Sequence, residues 1–186
     1  MYKTLALTSI AAIAVTAFAF NSASSGLSMG ERVTPFHPSH IVGPLAGTNN
    51  CFPCTFQNRP QVQVWVNGDS HENMMAFTKT LSKAMKDHSD KEFKALVVIV
   101  TPEKDHVKFA KMIKDQAAKS GYSNVGVALI DPKNEAVGNY KINLDSKVKN
   151  TVFAYKDWKV QKSFVNLKTD KAGLAELNEA ISTITQ

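Results

Sequence analysis

The residues best equipped for chemistry in this sequence are its only two cysteines, which stand together as Cys51-Phe52-Pro53-Cys54. A Cys-x-x-Cys pair suits thiol–disulfide exchange, because one thiolate attacks a partner sulfur and the other resolves the mixed disulfide. On that reading Cys51 is the expected attacking thiol. Closed as a structural disulfide, the same pair would tie down a loop, although so small a ring removes little unfolded-chain entropy. A third chemistry is metal binding. His37-Pro38-Ser39-His40 lies upstream, so His37, His40, Cys51 and Cys54 could supply two nitrogens and two sulfurs to a tetrahedral zinc site. The spacing matches no standard zinc motif, so no metal ligand is assigned and no cofactor is expected. The three readings stay open on the residues alone.

The surroundings of the pair offer modest help. Thr55-Phe56-Gln57-Asn58-Arg59-Pro60 does not read as a helix, which withholds one of the usual means of lowering a thiol pKa. Arg59 is the one evident nearby cation. Elsewhere, Asp69, His71 and Glu72 cluster at a helix start, where such groups ordinarily cap and solvate. Met74-Met75 suits boundary packing better than copper ligation. Trp65 reads as core, and Trp158, at a hairpin turn, either packs against the turn or marks a partner surface.

Charge excludes little but points away from nucleic acid. The formal net charge is +6, with lysines interspersed among acids as in Lys86-Asp87 and Glu103-Lys104-Asp105. No arginine cluster or basic stripe with interleaved aromatics appears.

Three regions must position these residues. Residues 1–19 read as a secretory signal peptide: a positive start at Lys3, an apolar run from Thr4 to Phe20, and small residues at Ala17-Phe18-Ala19. The expected location is therefore outside the cytosol, periplasmic or secreted, and no membrane contact is expected after cleavage. Export also favours oxidation of a close thiol pair. Residues 20–60 read as a flexible leader followed, from Pro35, by an extended, loop-like segment carrying the cysteines.

Residues 61–186 read as the folded domain. Gln61-Val62-Gln63-Val64-Trp65-Val66 alternates polar and apolar, as a strand entering a core does. Ser70 is a plausible N-cap for a helix whose Phe77, Leu81, Ala84 and Met85 form one apolar stripe. Ala95 to Val100 is apolar on both faces and predicts a central parallel strand. Thr101-Pro102-Glu103 predicts a second helix start, with Val107, Ala110, Ile113 and Ala117 inward and a stop at Gly121. A third strand spans Val125 to Ile130. Thr151–Tyr155 and Lys159–Val165 flank a short loop and predict a hairpin. A last helix, about Lys171 to Ile184, carries Leu174, Leu177, Ile181 and Ile184 on one face. The expected fold class is α/β, a mixed central β-sheet flanked by helices on both faces.

From Gln61 onward this order resembles the thioredoxin-like superfamily, specifically its redoxin and peroxiredoxin branch. The resemblance rests on Val127-Ala128-Leu129-Ile130-Asp131-Pro132, Val137-Gly138-Asn139-Tyr140-Lys141-Ile142 and Thr151-Val152-Phe153-Ala154-Tyr155-Lys156-Asp157. It implies a thioredoxin-like fold and a reactive cysteine just after the first core strand. Here that stretch reads Asn67-Gly68-Asp69-Ser70-His71-Glu72-Asn73, without cysteine. The proline expected before the penultimate strand is replaced by Asn150. Peroxidase chemistry of the family type is therefore not expected. Two functions remain: thiol–disulfide exchange through Cys51 and Cys54 with a protein thiol or disulfide as partner, or a non-enzymatic binding domain with a structural disulfide. Simple continuation of the chain from Thr55 into the first core strand puts the pair at the end opposite the family's active site.

Overall fold

The computed structural model describes residues 23–186. The expected signal peptide at 1–19 lies outside the described residues. Six strands, β1 (Ser39–Val42), β2 (Gln61–Val66), β3 (Lys94–Val100), β4 (Gly126–Ile130), β5 (Asn150–Lys156) and β6 (Lys159–Val165), form one sheet in the order β1–β4–β3–β2–β5–β6. β2, β3 and β4 are parallel, while β1, β5 and β6 each pair antiparallel with their neighbours. Five helices accompany them: α1 (Phe52–Phe56), α2 (His71–Asp87), α3 (His106–Ser120), α4 (Glu135–Asn139) and α5 (Lys171–Ile184). This is the expected mixed α/β architecture.

The layers follow from connection handedness. β2, β3 and β4 step in one direction across the sheet, so two right-handed crossovers put α2 and α3 on the same face. α5 joins them there. Phe77, Leu81 and Ala84 of α2 and Leu177, Ile181 and Ile184 of α5 pack with Val62, Val64, Val97 and Leu129. Ser70 caps α2, its Oγ accepting from the Asn73 N–H at 3.1 Å.

The other face is covered by shorter pieces: α1, α4 and the segment 23–36. That segment, expected as a loose leader, instead lies along the sheet. Leu27, Val33 and Phe36 are buried with Trp65, Tyr140 and Phe153. Gly26 N–H donates to the Lys141 carbonyl at 2.8 Å, Val33 N–H to Trp158 at 2.9 Å, and the Tyr140 hydroxyl to Thr34 at 2.7 Å. Gly26, at φ +90°, passes so near Thr151 and Phe153 that a Cβ there would meet Thr151 Cγ2 at 2.5 Å.

Residues 35–60 likewise hold more order than expected. β1 exists because β4 offers it an open edge, an influence invisible in a four-residue run, and Gly43 crosses the start of β4 too closely for any side chain. α3 also differs. Residues Glu103–Asp105 form a 3₁₀ turn, and the α-helix proper begins at His106. Within that helix each residue advances about 100°, so Val107 stands roughly 120° round from Ile113, at the edge of the inward stripe. Val107 therefore points outward, 84% exposed, while Phe109, Ala110, Ile113 and Ala117 pack against the core. At the predicted hairpin, Asp157 and Trp158 both have positive φ, as a two-residue type I′ turn requires. Trp158 is half-buried against the second core cluster.

β2 departs most instructively from its pattern. Its polar alternates Gln61 and Gln63 are fully buried, not solvent-facing. Each finds a partner: the Tyr155 hydroxyl donates to Gln61 Oε1 at 2.7 Å and accepts from Gln63 Nε2 at 2.8 Å. Trp65 Nε1 completes the chain by donating to Gln63 Oε1 at 3.0 Å. Burial without charge pushes the Tyr155 hydroxyl well above its ordinary pKa, so it stays a neutral donor.

Candidate functional site

The pair is built by α1. Cys51 is its N-cap in extended conformation, followed by Phe52, and then Pro53, which lacks an N–H. The Cys54 N–H donates to Cys51 Sγ at 3.1 Å. The Cys51 carbonyl accepts from both the N–H and the hydroxyl of Thr55, at 3.0 and 2.9 Å. Cys51 and Cys54 are joined by a disulfide, with Cα atoms 5.2 Å apart. The expected non-helical run after the pair is thus half right: Thr55 and Phe56 finish a short helix, and Gln57, at φ 49°, ends it. Proline in a helix's first turn was the available signal.

The two cysteines differ in access, and against the order expected from the sequence. Cys51 is 6% exposed, whereas Cys54 stands at the surface. Phe52 is fully buried and anchors the turn, its ring stacked with Phe56 edge-on at 4.7 Å.

α1 sits over the first residues of three parallel strands. Phe52 packs on Gly126 of β4, where an added Cβ would lie 3.3 Å from its ring. The Lys94 ammonium of β3 lies 5.6 Å from the Phe56 ring centre. Gln61 Nε2 of β2 donates to the Gln57 carbonyl at 2.9 Å. Arg59 is committed to an ion pair with Glu92 at 3.0 Å, which also holds the Glu92 carboxyl below its ordinary pKa.

Both candidate metal-binding histidines turn toward the loop before the pair. His37 Nδ1 donates to the Asn49 carbonyl at 3.0 Å, and His40 Nε2 to the Asn50 carbonyl at 2.9 Å. His40 is buried against Phe52, ring centres 6.3 Å apart, and its Nδ1 has no partner. Burial lowers its pKa from 6.5, only partly offset by the bond to Asn50. Among the described residues, no group of three or more His, Cys, Asp or Glu side chains is placed to hold a metal. In this structure the two sulfurs are joined to each other, and the two imidazoles donate to loop carbonyls.

The position where the family resemblance implies a reactive cysteine lies at the far end of β2. Gln61 pairs with Tyr155 and Val66 with Asn150, and five steps of ~3.3 Å put roughly 17 Å between those ends. There a polar network fills the place. Asn150, 2% exposed, donates to Asp69 Oδ2 at 2.9 Å and to the Leu167 carbonyl at 3.1 Å, and accepts from the Leu167 N–H at 2.9 Å. Asp69 Oδ1 takes Asn73 Nδ2 at 2.8 Å, and the Thr169 hydroxyl donates to Asn73 Oδ1 at 2.7 Å. His71 and Glu72 are exposed at the start of α2 and take no part. Sequence reasoning named Asp69 and Asn150 separately but did not join them.

A small apolar cleft between α2 and α3, lined by His71, Met74, Met75, Met112 and Ile113, encloses about 50 Å³. Small-molecule sites run to several hundred Å³, so this space suits packing.

No family model matches the chain, and neither does any curated protein. Solved structures do. A proposed thiol:disulfide interchange protein, DsbE, from Chlorobium tepidum superposes with TM-score 0.63 at 14% identity, covering 86% of this chain and 99% of its own. Thiol peroxidase from Chromobacterium violaceum gives 0.57 at 12% identity, over 87% and 90%. Peroxidoxin BcpB from Mycobacterium tuberculosis gives 0.57 at 14% identity, over 87% and 97%. The strand order and these neighbours together establish that the chain has the thioredoxin-like fold.

Proposed function

We propose that this protein is an exported thiol–disulfide exchange protein whose working pair is Cys51–Cys54, placed at the N-terminal ends of the parallel strands. The observation that carries the reading is a disulfide with one cysteine at the surface and the other held at a helix N-cap. A four-residue ring contributes only about 2 kcal/mol by loop-closure entropy, a weak structural reason for the bond. Export rests on the residue pattern of the N-terminus, and no helix among the described residues is long and apolar enough to cross a membrane. Peroxide reduction of the family type is not part of the proposal, because the turn after β2 carries no cysteine.

The rival is a binding domain whose disulfide is structural. It is favoured by the burial of Phe52 and the use of Cys51 Sγ as a cap. The discriminating experiment equilibrates the pair in glutathione and dithiothreitol buffers and follows insulin reduction. A potential above about −300 mV, with turnover lost in Cys54→Ser, supports exchange, since structural disulfides lie below that value. A lower potential without turnover establishes the rival.

A further inference from the structure

The asymmetry of the pair assigns different tasks to its two sulfurs. Resting on the exchange reading, we infer that Cys54 is the sulfur that meets the partner and that Cys51 is the internal, leaving and resolving sulfur. This reverses the order read from the sequence.

Three observations carry it. Cys54 is exposed on the outer side of α1, whereas Cys51 is 6% exposed beneath it. An attacking thiolate must approach along the S–S axis, so the sulfur it reaches has to face solvent, and the sulfur that leaves lies behind it. The leaving position is also the one prepared for negative charge. Cys51 Sγ already accepts the Cys54 N–H at 3.1 Å, and the same bond serves a Cys51 thiolate better, because hydrogen bonding to the charged form favours it. The backbone around Cys51 is held from both sides. Its carbonyl takes two bonds from Thr55, and the preceding Asn50 carbonyl takes the His40 imidazole. Cys54 has no such restraint on its side chain beyond the disulfide.

The step balances as follows. A partner thiolate attacks Cys54 Sγ. The Cys51–Cys54 bond breaks as the partner–Cys54 bond forms, and the electron pair departs on Cys51 Sγ. The partner's second thiolate then attacks its own sulfur in the mixed disulfide and releases Cys54 as a thiolate. The partner dithiol is oxidised to a disulfide and the protein's disulfide is reduced to two thiols, a two-electron transfer. Run in reverse, the Cys54 thiolate attacks a partner disulfide and Cys51 resolves it. The partner is therefore a protein dithiol or disulfide able to present sulfur to the N-terminal end of the sheet.

The test compares reduced Cys51→Ser, which keeps Cys54, with reduced Cys54→Ser, which keeps Cys51, by their second-order rates with 5,5′-dithiobis(2-nitrobenzoate). Cys51→Ser should react at least tenfold faster in native buffer, and the two rates should converge in 6 M guanidinium chloride. Equal native rates, or a faster Cys54→Ser, overturn the assignment. Should the N-cap change unfold Cys51→Ser, the reduced wild-type protein is treated with limiting iodoacetamide and digested. Modification concentrated on Cys54 supports the assignment, and modification concentrated on Cys51 or shared equally overturns it. The exchange reading fails on separate grounds, by absent insulin turnover and a low potential, whichever cysteine is the more reactive.

Discussion

Asn150 and Asp69, 81 residues apart, are joined by a 2.9 Å hydrogen bond that ties the start of β5 to the turn after β2. The same Asn150 side chain exchanges two bonds with the Leu167 backbone, so one buried amide links three segments at the place where the family resemblance implies reactive sulfur. The network is closed by its own members. With no cysteine in that turn, the chemical question moves to Cys51 and Cys54 at the other end of the sheet.

Asn150→Ala should therefore behave as a stability variant and not as an activity variant. It leaves the Leu167 N–H and carbonyl unpaired in a buried setting, a cost of about 2–4 kcal/mol. The urea midpoint should fall with an unchanged slope, while the reaction rate of Cys54 in the reduced protein stays within twofold. A loss below about 0.5 kcal/mol, typical of an exposed site, would contradict the buried network.

Tyr155→Phe removes the one hydroxyl shared by Gln61 and Gln63 inside the sheet. Gln61 Oε1 and Gln63 Nε2 each lose that partner while the other end of each amide keeps its own, and the expected destabilisation is about 2–3 kcal/mol, far above that of a typical surface tyrosine. Gln63→Leu in the same background should recover none of the loss, because it removes the unpaired Nε2 but also takes away the Oε1 that accepts from the buried Trp65 Nε1. Chemical denaturation of the single and double variants checks both statements.

His40 gives the pair's surroundings a pH dependence of definite sign. Its folded pKa lies below the unfolded value of 6.5 because burial disfavours the imidazolium. At neutral pH and above, both states are unprotonated and stability is full. As pH falls below 6.5 the unfolded chain takes up the proton first, so stability declines until the folded pKa is passed. His40→Gln, which keeps a donor for Asn50 but does not titrate, should flatten the unfolding free energy between pH 7 and pH 5. An unchanged slope in that variant would show that other groups set it.

Phe52→Ala should detach α1 from the sheet. The ring is fully buried over Gly126, and deleting it costs about 3–5 kcal/mol by lost burial and the cavity left behind. Cys51 should then lose its protection, so that in the reduced Phe52→Ala/Cys54→Ser protein its alkylation rate rises at least fivefold over Cys54→Ser alone. If Cys51 stays slow, its burial is owed to something other than the Phe52 anchor.

Most of the sheet was legible from the sequence because its signals are local. The apolar run of β3, the Ser70 cap, the α2 stripe, the Asp157-Trp158 turn and the α5 face each depend on neighbours within one or two turns of chain. Where a residue stood at the edge of a helical stripe they failed in an explicable way. On α3, Val107 lies roughly 120° around the helix from Ile113, and it faces outward while Ala110, Ile113 and Ala117 pack on the core.

The sequence by itself determined that two cysteines form one close pair, that the turn after β2 has no cysteine, and that the domain alternates strands and helices in a thioredoxin-like order. Those are facts of residue identity and short-range periodicity. Only the tertiary structure decided that the segment 23–36 covers a sheet face, that Gln61 and Gln63 are buried on Tyr155, and that Asp69 meets Asn150. It also decided that Cys54 faces outward while Cys51 lies beneath. Each of these depends on which distant backbone arrives to cover a side chain or accept its hydrogen bond, and that is settled by the packing of the whole sheet and not by spacing along the chain.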